Sequence, residues 1–405
     1  MDQEVFQLIS QVTSSGQALE KQVAVDPSSP DARQTRRQLL YTARRLANYL
    51  QNEGQIVEGY LYGVIDVLLL KIGADLGLFQ KLVDSEKPLS LKDLATTTGA
   101  DEVLLARIMR GLTSIDAVDE PGVELYAPNK VTRAFTTVKA TSGLDLFHNV
   151  IHTGWNMFPK YIKETQYKNP VDPAAMPFNK QFNGEAYFDW LGRHPDLLHS
   201  FHQFMTTQRV GHVQWLDFYP IEEQLLSGFD SSDPKSVLLV DVGGSVGHEI
   251  QAVKKRYPSI PGRMVLQDRP ATIERVKAEN GMEVMAHDFF TEQPIKGTFA
   301  GARAYYFRSV LHDWDDDRCR VILSHIKKAM KPGYSRILIN EFCIPLRGAC
   351  TFATHSDFFV MSVNAAVERT EKQWYDLIES VGLKIDRIWT LEPDSESILE
   401  VIIPE

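Results

Sequence analysis

"SVLLVDVGGSVGHEI" runs from Ser236 to Ile250, and its reading decides the fold. An apolar run ends in Asp241, a turn follows with Gly243, Gly244 and Gly247, and helical spacing then begins. Strand, glycine turn, helix is how a parallel α/β sheet opens. The glycines allow positive φ and close approach of backbone to a ligand, although a purely structural tight turn leaves the same signature. The spacing departs from G-x-G-x-x-G, and no lysine follows as a phosphate-cradling loop needs.

Working outward, four more apolar runs alternate with helical stretches: "RMVLQD" (263–268), "EVMAHDFF" (283–290), "ARAYYFRSVL" (302–311) and "SRILINEF" (335–342). "GLKIDRIWTL" and "SILEVIIPE", joined by "EPDSES", read as a closing antiparallel pair. The predicted strands end in Asp241, Asp268, Asp288, then His312 with Asp313, and Glu341. The carboxyl ends of parallel strands line one edge, where such sheets bind ligands. Five separate segments thus bring acids and an imidazole to one crevice, whereas random decoration would scatter them over both edges. A carboxylate at Asp241 suits a cationic ligand and repels a pyrophosphate. Asp268, at the next strand end, can accept both hydroxyls of a ribose. A nucleoside with an amine-bearing tail fits better than a dinucleotide, and S-adenosylmethionine is such a molecule.

"VLHDWDDDRCRVILSHIKKAMKPG" (310–333) separates structural acids from candidate chemistry. Asp315 is placed to cap a helix, and Asp316 and Asp317 complement its dipole. Ile322, Leu323, Ile326 and Met330 repeat at helical spacing, and Pro332-Gly333 stops the helix. His312 lies before the cap on the ligand edge and has no such structural duty.

The rest of the chain bounds these readings. Its 405 residues suffice for two domains, and a net charge of -10 disfavours a nucleic-acid partner. Cys319, Cys343 and Cys350 have no metal-like spacing, so no metal is expected. No secretory segment opens the chain, and the longest apolar run, "VIDVLLL" (64–70), is far too short for a membrane span. A cytoplasmic protein without a membrane partner is the expectation. Residues 1 to about 25 and 33–51 read as helices separated by "AVDPSSPDA" (24–32). "GVIDVLLLKIGADLGLFQKL" (63–82) reads as a helix, Ser90 and an acidic start near Asp101 open two more, and "DAVDEPGVELYAPN" (116–129) reads as a two-strand wing. This winged-helix-like outline is a DNA-reader shape, but the candidate recognition helix offers only Arg107 and Arg110. Residues 140 to 230 are helix-rich and crowded with Trp155, Met157, Phe158, Phe201, Phe204 and Met205, a composition that suits either plain core or a pocket for a flat organic ligand. The expected organisation is a helical N-terminal dimerisation domain (1–140), a helical segment contributing an acceptor pocket (141–230), and a cofactor-binding catalytic domain (231–405).

"LVDVGGSVG", "LQDRP", "HDFF", "RSVLHDW", "KPGYSRILINEFCIP" and "ERTEKQW" occur in an order and spacing that resembles the class I S-adenosylmethionine-dependent O-methyltransferases, in particular the plant caffeate-type and fungal polyketide branch of secondary metabolism. The resemblance implies a Rossmann-like, mostly parallel α/β sheet, a homodimer, S-adenosyl-L-methionine as cofactor, and a small aromatic or polyketide acceptor. It places the cofactor loop on Gly243, Ser245 and Gly247, where the family often has glycine in place of Ser245. The ribose acid falls on Asp268, the adenine-edge pair on Asp288 and Phe289, and a cofactor-side base, usually lysine, on Arg308. The catalytic base falls on His312, with Asp313 beside it and Glu341 and Glu368 as its flanking carboxylates. Phe201 and Met205 match positions walling the reacting groups, and Asp357 to Met361 match a pocket segment that is usually more aliphatic. Some fungal relatives keep the cofactor but catalyse dehydration or pericyclic steps; loss of the His/Glu set would signal that conversion, and this chain retains it.

Overall fold

A computed structural model of the chain describes residues 3–404 except 183, 186, 208–210, 212, 275, 277–280, 297–300 and 393–394. The chain divides into two compact units, Met1–Leu144 and Asp145–Glu405.

The first unit is helical. Helices α1 (Gln3–Val25) and α2 (Pro30–Leu50) pack on each other. The second begins three residues earlier than the sequence suggests, because Ser29 caps it and Pro30 occupies its first turn, where a missing N–H costs nothing. Helix α3 (Glu53–Asp75) starts at an Asn52/Gln55 capping box. The single helix expected over 63–82 is broken at Gly77, whose φ of 65° starts a new helix, α4 (Leu78–Asp84). Helices α5 (Leu91–Thr98, capped by Ser90) and α6 (Glu102–Ser114, capped by Asp101) follow. Strands β1 (Leu89–Ser90), β2 (Asp119–Gly122) and β3 (Leu125–Ala127) form a small antiparallel sheet in the order β1-β3-β2. Leu78, Phe79, Leu82, Leu94, Leu105, Met109 and Leu112 fill the core of this unit. Tyr60, Leu61, Val64, Ile65 and Leu68 on α3 remain exposed.

The second unit is built on a seven-stranded sheet in the order β6-β5-β4-β7-β8-β10-β9. The strands are β4 (Val237–Val242), β5 (Arg263–Asp268), β6 (Met282–Ala286), β7 (Ala304–Arg308), β8 (Arg336–Glu341), β9 (Lys384–Trp389) and β10 (Ser397–Ile402). The first five are parallel, and β10 runs antiparallel to β8 and β9, as expected. Both faces are covered, which is why the strands read as continuous apolar runs. Val240, Val242, Tyr305, Phe307, Ile337 and Ile339 bury one face against Ile322, Leu323 and Ile326 of one helix and Trp374, Leu377 and Ile378 of another. Leu239, Met264, Leu266, Tyr306 and Leu338 bury the other against Ile250, Val253 and Trp215. Each fully buried aliphatic side chain contributes about 1.5–3 kcal/mol, so this alternation sets the register. The longer helices of this unit are α7 (His152–Glu164), α8 (Pro195–Thr207), α9 (His248–Arg256), α10 (Asp316–Ala329), α11 (Thr351–Asn364) and α12 (Glu371–Ser380), of which α9, α10 and α12 supply the face-covering residues just named except Trp215. Asp315 caps α10 by accepting the Arg318 N–H at 2.9 Å.

Two strands are shorter than the sequence suggests. Strand β6 ends at Ala286, ahead of Asp288. Strand β7 stops at Arg308 and not at Leu311. Ser309 adopts φ 50°, and Leu311–Asp313 form a 3-10 turn. The cause is a side chain on the neighbouring strand. Glu341, at the end of β8, accepts the N–H of Val310 at 3.0 Å and of Leu311 at 2.7 Å. Donors that would have continued the ladder are drawn into a turn instead. Among the described residues, no helix is long and apolar enough to cross a membrane.

Candidate active site

The turn after β4 is shaped by its own surroundings. A Cβ on Gly244 would lie 2.4 Å from the Asp241 carboxylate and 2.6 Å from Leu266, and one on Gly247 would lie 2.4 Å from the Met282 sulfur. Gly243 and Gly247 have φ of 73° and 85°, and Ser245 holds φ 54° without that freedom. A Cβ on Gly243 would lie 3.0 Å from Val310, which sets this turn beside the 3-10 turn bearing His312.

Acids surround the glycine turn. The Ser245 N–H donates to Asp268 Oδ2 at 2.9 Å, and the Arg269 N–H donates to Oδ1 at 2.7 Å. Asp241 is buried, and its Oδ2 has no hydrogen-bond partner. Burial, with Glu249 nearby, pushes its carboxyl well above the usual carboxylate range. Asp288 is exposed and accepts the Phe290 N–H at 3.0 Å, while Phe289 is half-buried with its ring 5.0 Å from that of Phe290. S-adenosylmethionine fits this edge on its chemistry: an orphaned buried carboxylate oxygen for a cationic group, a strand-end acid for a ribose, and a turn with no room for a Cβ at Gly244 or Gly247. Arg308 is held by two carboxylates. It bridges Glu249 on α9 and Glu396 just before β10, and those carboxylates outweigh burial to raise its pKa. Tyr306 and Trp215 also donate to Glu249.

His312 and Glu368 meet, although 56 residues separate them: His312 Nδ1 lies 3.0 Å from Glu368 Oε1. Val367 and Arg369 join the two segments, and Asp357 ties Glu368 to α11. Val367 N–H donates to the His312 carbonyl at 3.0 Å. Buried Arg369 donates to the carbonyls of Leu311 and Trp314 and to Asp316. The Glu368 N–H donates to Asp357 Oδ1 on α11 at 2.9 Å. Arg369 therefore staples the 311–316 loop and leaves both glutamates to other partners. Asp313 Oδ1 lies 3.7 Å from His312 Nε2. One His312 nitrogen and one oxygen each of Glu341 and Glu368 lie within 4.8 Å of one another.

The electrostatics follow from burial. Removal from water disfavours the imidazolium, but the carboxylates of Glu368 and Asp313 outweigh this and push the His312 pKa up to about 10. Burial raises Glu341 to about 7; Glu368 adds to this, while the imidazolium and Arg369 oppose it. Glu341 Oε2 has no hydrogen-bond partner. Glu341 thus holds the turn through two backbone donors, and Glu368 makes the side-chain contact with the imidazole.

An aromatic cavity of about 500 Å³ reaches Glu368 through the lining residue Ser356, and His312 is not among its described lining residues. Its wall includes Phe147, Trp155, Phe158, Phe204, Phe359 and Ser356. Phe147 begins a π-turn (Phe147–Ile151), a helix irregularity frequent at functional sites, and stacks on Phe359 at 5.5 Å. The Trp155 indole donates to Ser362 Oγ at 2.7 Å. Of the pocket residues read from sequence, Trp155 lies in this wall. Met157, Phe201, Met205 and Met361 are not among its described lining residues. Met157 is exposed, the Phe201 ring lies 6.1 Å from that of Tyr187, and Met361 packs with Phe158, Tyr161 and Met176. On α8 the wall position belongs to Phe204, one helical turn from Phe201. The pocket segment read from sequence at 357–361 contributes Phe358 and Phe359 to the wall, whereas Phe147, Ser356 and Ser362 were missed because they carry no motif; helical spacing on α11 was the available signal for the two serines.

The comparisons with known proteins agree with one another. Residues 165–384 match the O-methyltransferase domain family, and residues 59–138, which take in α3 from Gly59 onward, match the O-methyltransferase dimerisation domain. Methyltransferase cfoC of Aspergillus candidus is 68% identical over 401 residues, covering 99% of each chain. Demethylsterigmatocystin 6-O-methyltransferase of Aspergillus parasiticus is 33% identical, covering 91% of this chain and 93% of its own. Two solved structures, one described as a pericyclic reaction enzyme and one of LepI in complex with SAM, each superpose with TM-score 0.85 at 27% identity, over 98% of this chain and 100% of theirs.

Proposed function

Since the chain belongs to the S-adenosylmethionine-dependent O-methyltransferase family and carries its dimerisation domain, we propose that it methylates a hydroxyl of a neutral, flat, polycyclic phenol, with His312 as the general base. The observation that carries this reading is the partly buried His312–Glu368 contact at 3.0 Å beside an aromatic cavity. Apart from His355, the described lining residues carry no ionisable side chain, which favours an uncharged acceptor over a carboxylate-bearing one. A polyketide-type phenol fits the aromatic wall and the 6-O-methyltransferase relative.

When bound, S-adenosylmethionine supplies an electrophilic methyl group on a positively charged sulfur; Asp241, Asp268, Asp288 and the turn 243–247 are the residues proposed to hold it. The protein's own task is to take the phenol's proton and to align its oxygen. A phenol has a pKa of about 10, so transfer to an ordinary imidazole of about 6.5 is uphill by roughly 5 kcal/mol. With the imidazole raised to about 10 by its carboxylates, the transfer becomes nearly level. Glu368 accepts from Nδ1, fixing the tautomer that keeps Nε2 as the nitrogen to take the acceptor's proton and stabilising the imidazolium. Glu341 locks the turn, and the aromatic wall excludes water.

The test is a panel of neutral polycyclic phenols with isotopically labelled S-adenosylmethionine, read by mass spectrometry for methylated product and S-adenosylhomocysteine. His312→Ala is expected to bind cofactor normally, by calorimetry, and to lose turnover by about 10²-fold or more. A variant with near-wild-type rates would remove His312 as the base. Ring-formed or dehydrated product with cofactor unconsumed would instead support the pericyclic reading, which the superposed pericyclic enzyme keeps in view.

A further inference from the structure

Helix α11 grips Glu368 twice. Ser356 Oγ donates to Glu368 Oε1 at 2.8 Å, and the next residue, Asp357, accepts the Glu368 backbone N–H at 2.9 Å. Oε1 is the same oxygen that His312 Nδ1 approaches at 3.0 Å. Ser356 is also part of the aromatic cavity wall, with Phe352, Phe359 and Ser362 of its own helix. The two wall hydroxyls are not equivalent. Ser362 accepts from the Trp155 indole and donates to the Phe359 carbonyl, so its bonding lies within the wall. Ser356 directs its proton out of the wall toward the base.

We propose that Ser356 is a positioning residue: its hydroxyl fixes the rotation of the Glu368 carboxylate, and through it the His312 ring, from within the wall that meets the acceptor. The proposal rests on reading His312 as the base and the cavity as the acceptor site. The terminal torsion of a glutamate is broad, so a carboxylate needs donors from more than one direction to hold a single plane. Ser356 and His312 supply two directions at one oxygen. Of the other charged groups nearby, Asp313 faces Nε2 from 3.7 Å, Glu341 engages the Val310 and Leu311 N–H groups, Asp357 takes the Glu368 N–H, and Arg369 is directed to Leu311, Trp314 and Asp316. Because Ser356 shares a helix with Phe352 and Phe359, packing an acceptor against those rings shields its hydrogen bond from water and so strengthens it.

The test is NMR of full-length protein labelled with ¹⁵N-histidine, following the downfield His312 Nδ1 proton, with His312→Ala and Glu368→Gln to assign it. Ser356→Ala keeps a good helix former and should fold as wild type. In Ser356→Ala this proton is expected to exchange with water at least tenfold faster, and Ser356→Thr, which keeps the hydroxyl, should restore slow exchange. Unchanged exchange in Ser356→Ala overturns the proposal, and so does a wild type that shows no protected Nδ1 proton. The readout needs no turnover. A protein that methylates nothing but shows the expected exchange would sink the assigned reaction and keep the positioning role, and the reverse result would do the opposite.

Discussion

The turn after β4 and helix α11 both approach the turn bearing His312, yet they are constrained by opposite means. In the glycine turn the backbone is the instrument: Gly244 and Gly247 have no room for a side chain, because Asp241, Leu266 and Met282 fill the space. On α11 the side chains are the instrument: Ser356 and Asp357 hold Glu368, and Phe352, Phe358 and Phe359 line the cavity. A backbone constraint admits one residue type at each position and shows in the sequence as a glycine pattern. A side-chain constraint depends on what a helix faces, and many residues satisfy it.

The largest effect should come from the backbone side. Gly247→Ala would place a methyl 2.4 Å from the Met282 sulfur at a φ of 85°. Overpacking costs about 1–3 kcal/mol, and a non-glycine residue at positive φ costs about 1–3 more. Loss of both thermal stability and cofactor binding is the expected outcome, measured by thermal denaturation and calorimetry. Gly247→Ala paired with Met282→Ala should recover part of the packing loss but not the φ strain. Full recovery would mean that the turn is limited by space alone.

Next comes Glu368→Gln, on the side-chain edge. With His312 raised to about 10, the unprotonated base is scarce at neutral pH and increases tenfold per pH unit. Wild-type kcat/KM should therefore climb with pH from about 7 toward 10. Removing the carboxylate returns the imidazole toward its ordinary range, so the break should move down by more than one unit, with about tenfold or greater loss at the plateau. Stability carries the same sign. A raised imidazole pKa means that the folded state holds the proton more tightly, so the pair's contribution is complete below about pH 6.5 and is lost as pH rises toward 10. The melting temperature of wild type should fall over that window more steeply than that of Glu368→Gln. An unchanged pH break in the variant would show that Glu368 does not tune the base.

This contrast also explains what was legible. The run of parallel strands with its closing antiparallel pair, the Asp315 cap and the contact of His312 with Glu368 were visible because strands, caps and family motifs each have a local signature. The early end of β7 was hidden: "RSVL" reads as strand, and only Glu341 from the neighbouring strand shows why the chain turns at Ser309. The same long-range cause hid the pairing of Arg308 with Glu249 and Glu396, 59 and 88 residues away in sequence. Pocket residues were the hardest to read. The sequence could say that 140–230 is aromatic, but a π-turn decides that Phe147 faces the cavity, and helical phase decides that Phe204 does so in place of Phe201.

The smallest test concerns Ser245, where the two kinds of constraint meet. It is a side-chain-bearing residue at φ 54° in a turn otherwise given to glycine, and its N–H is committed to Asp268. Left-handed backbone costs an ordinary residue about 1–2 kcal/mol, while glycine costs about 0.5–1 kcal/mol in unfolded-state entropy. The two nearly cancel, so Ser245→Gly should raise stability by less than about 1 kcal/mol in a denaturant titration. Asp268 should keep its backbone donor, so cofactor affinity should change little. A marked fall in either quantity would mean that the exposed Ser245 side chain has a task of its own, and that this turn is not governed by backbone alone.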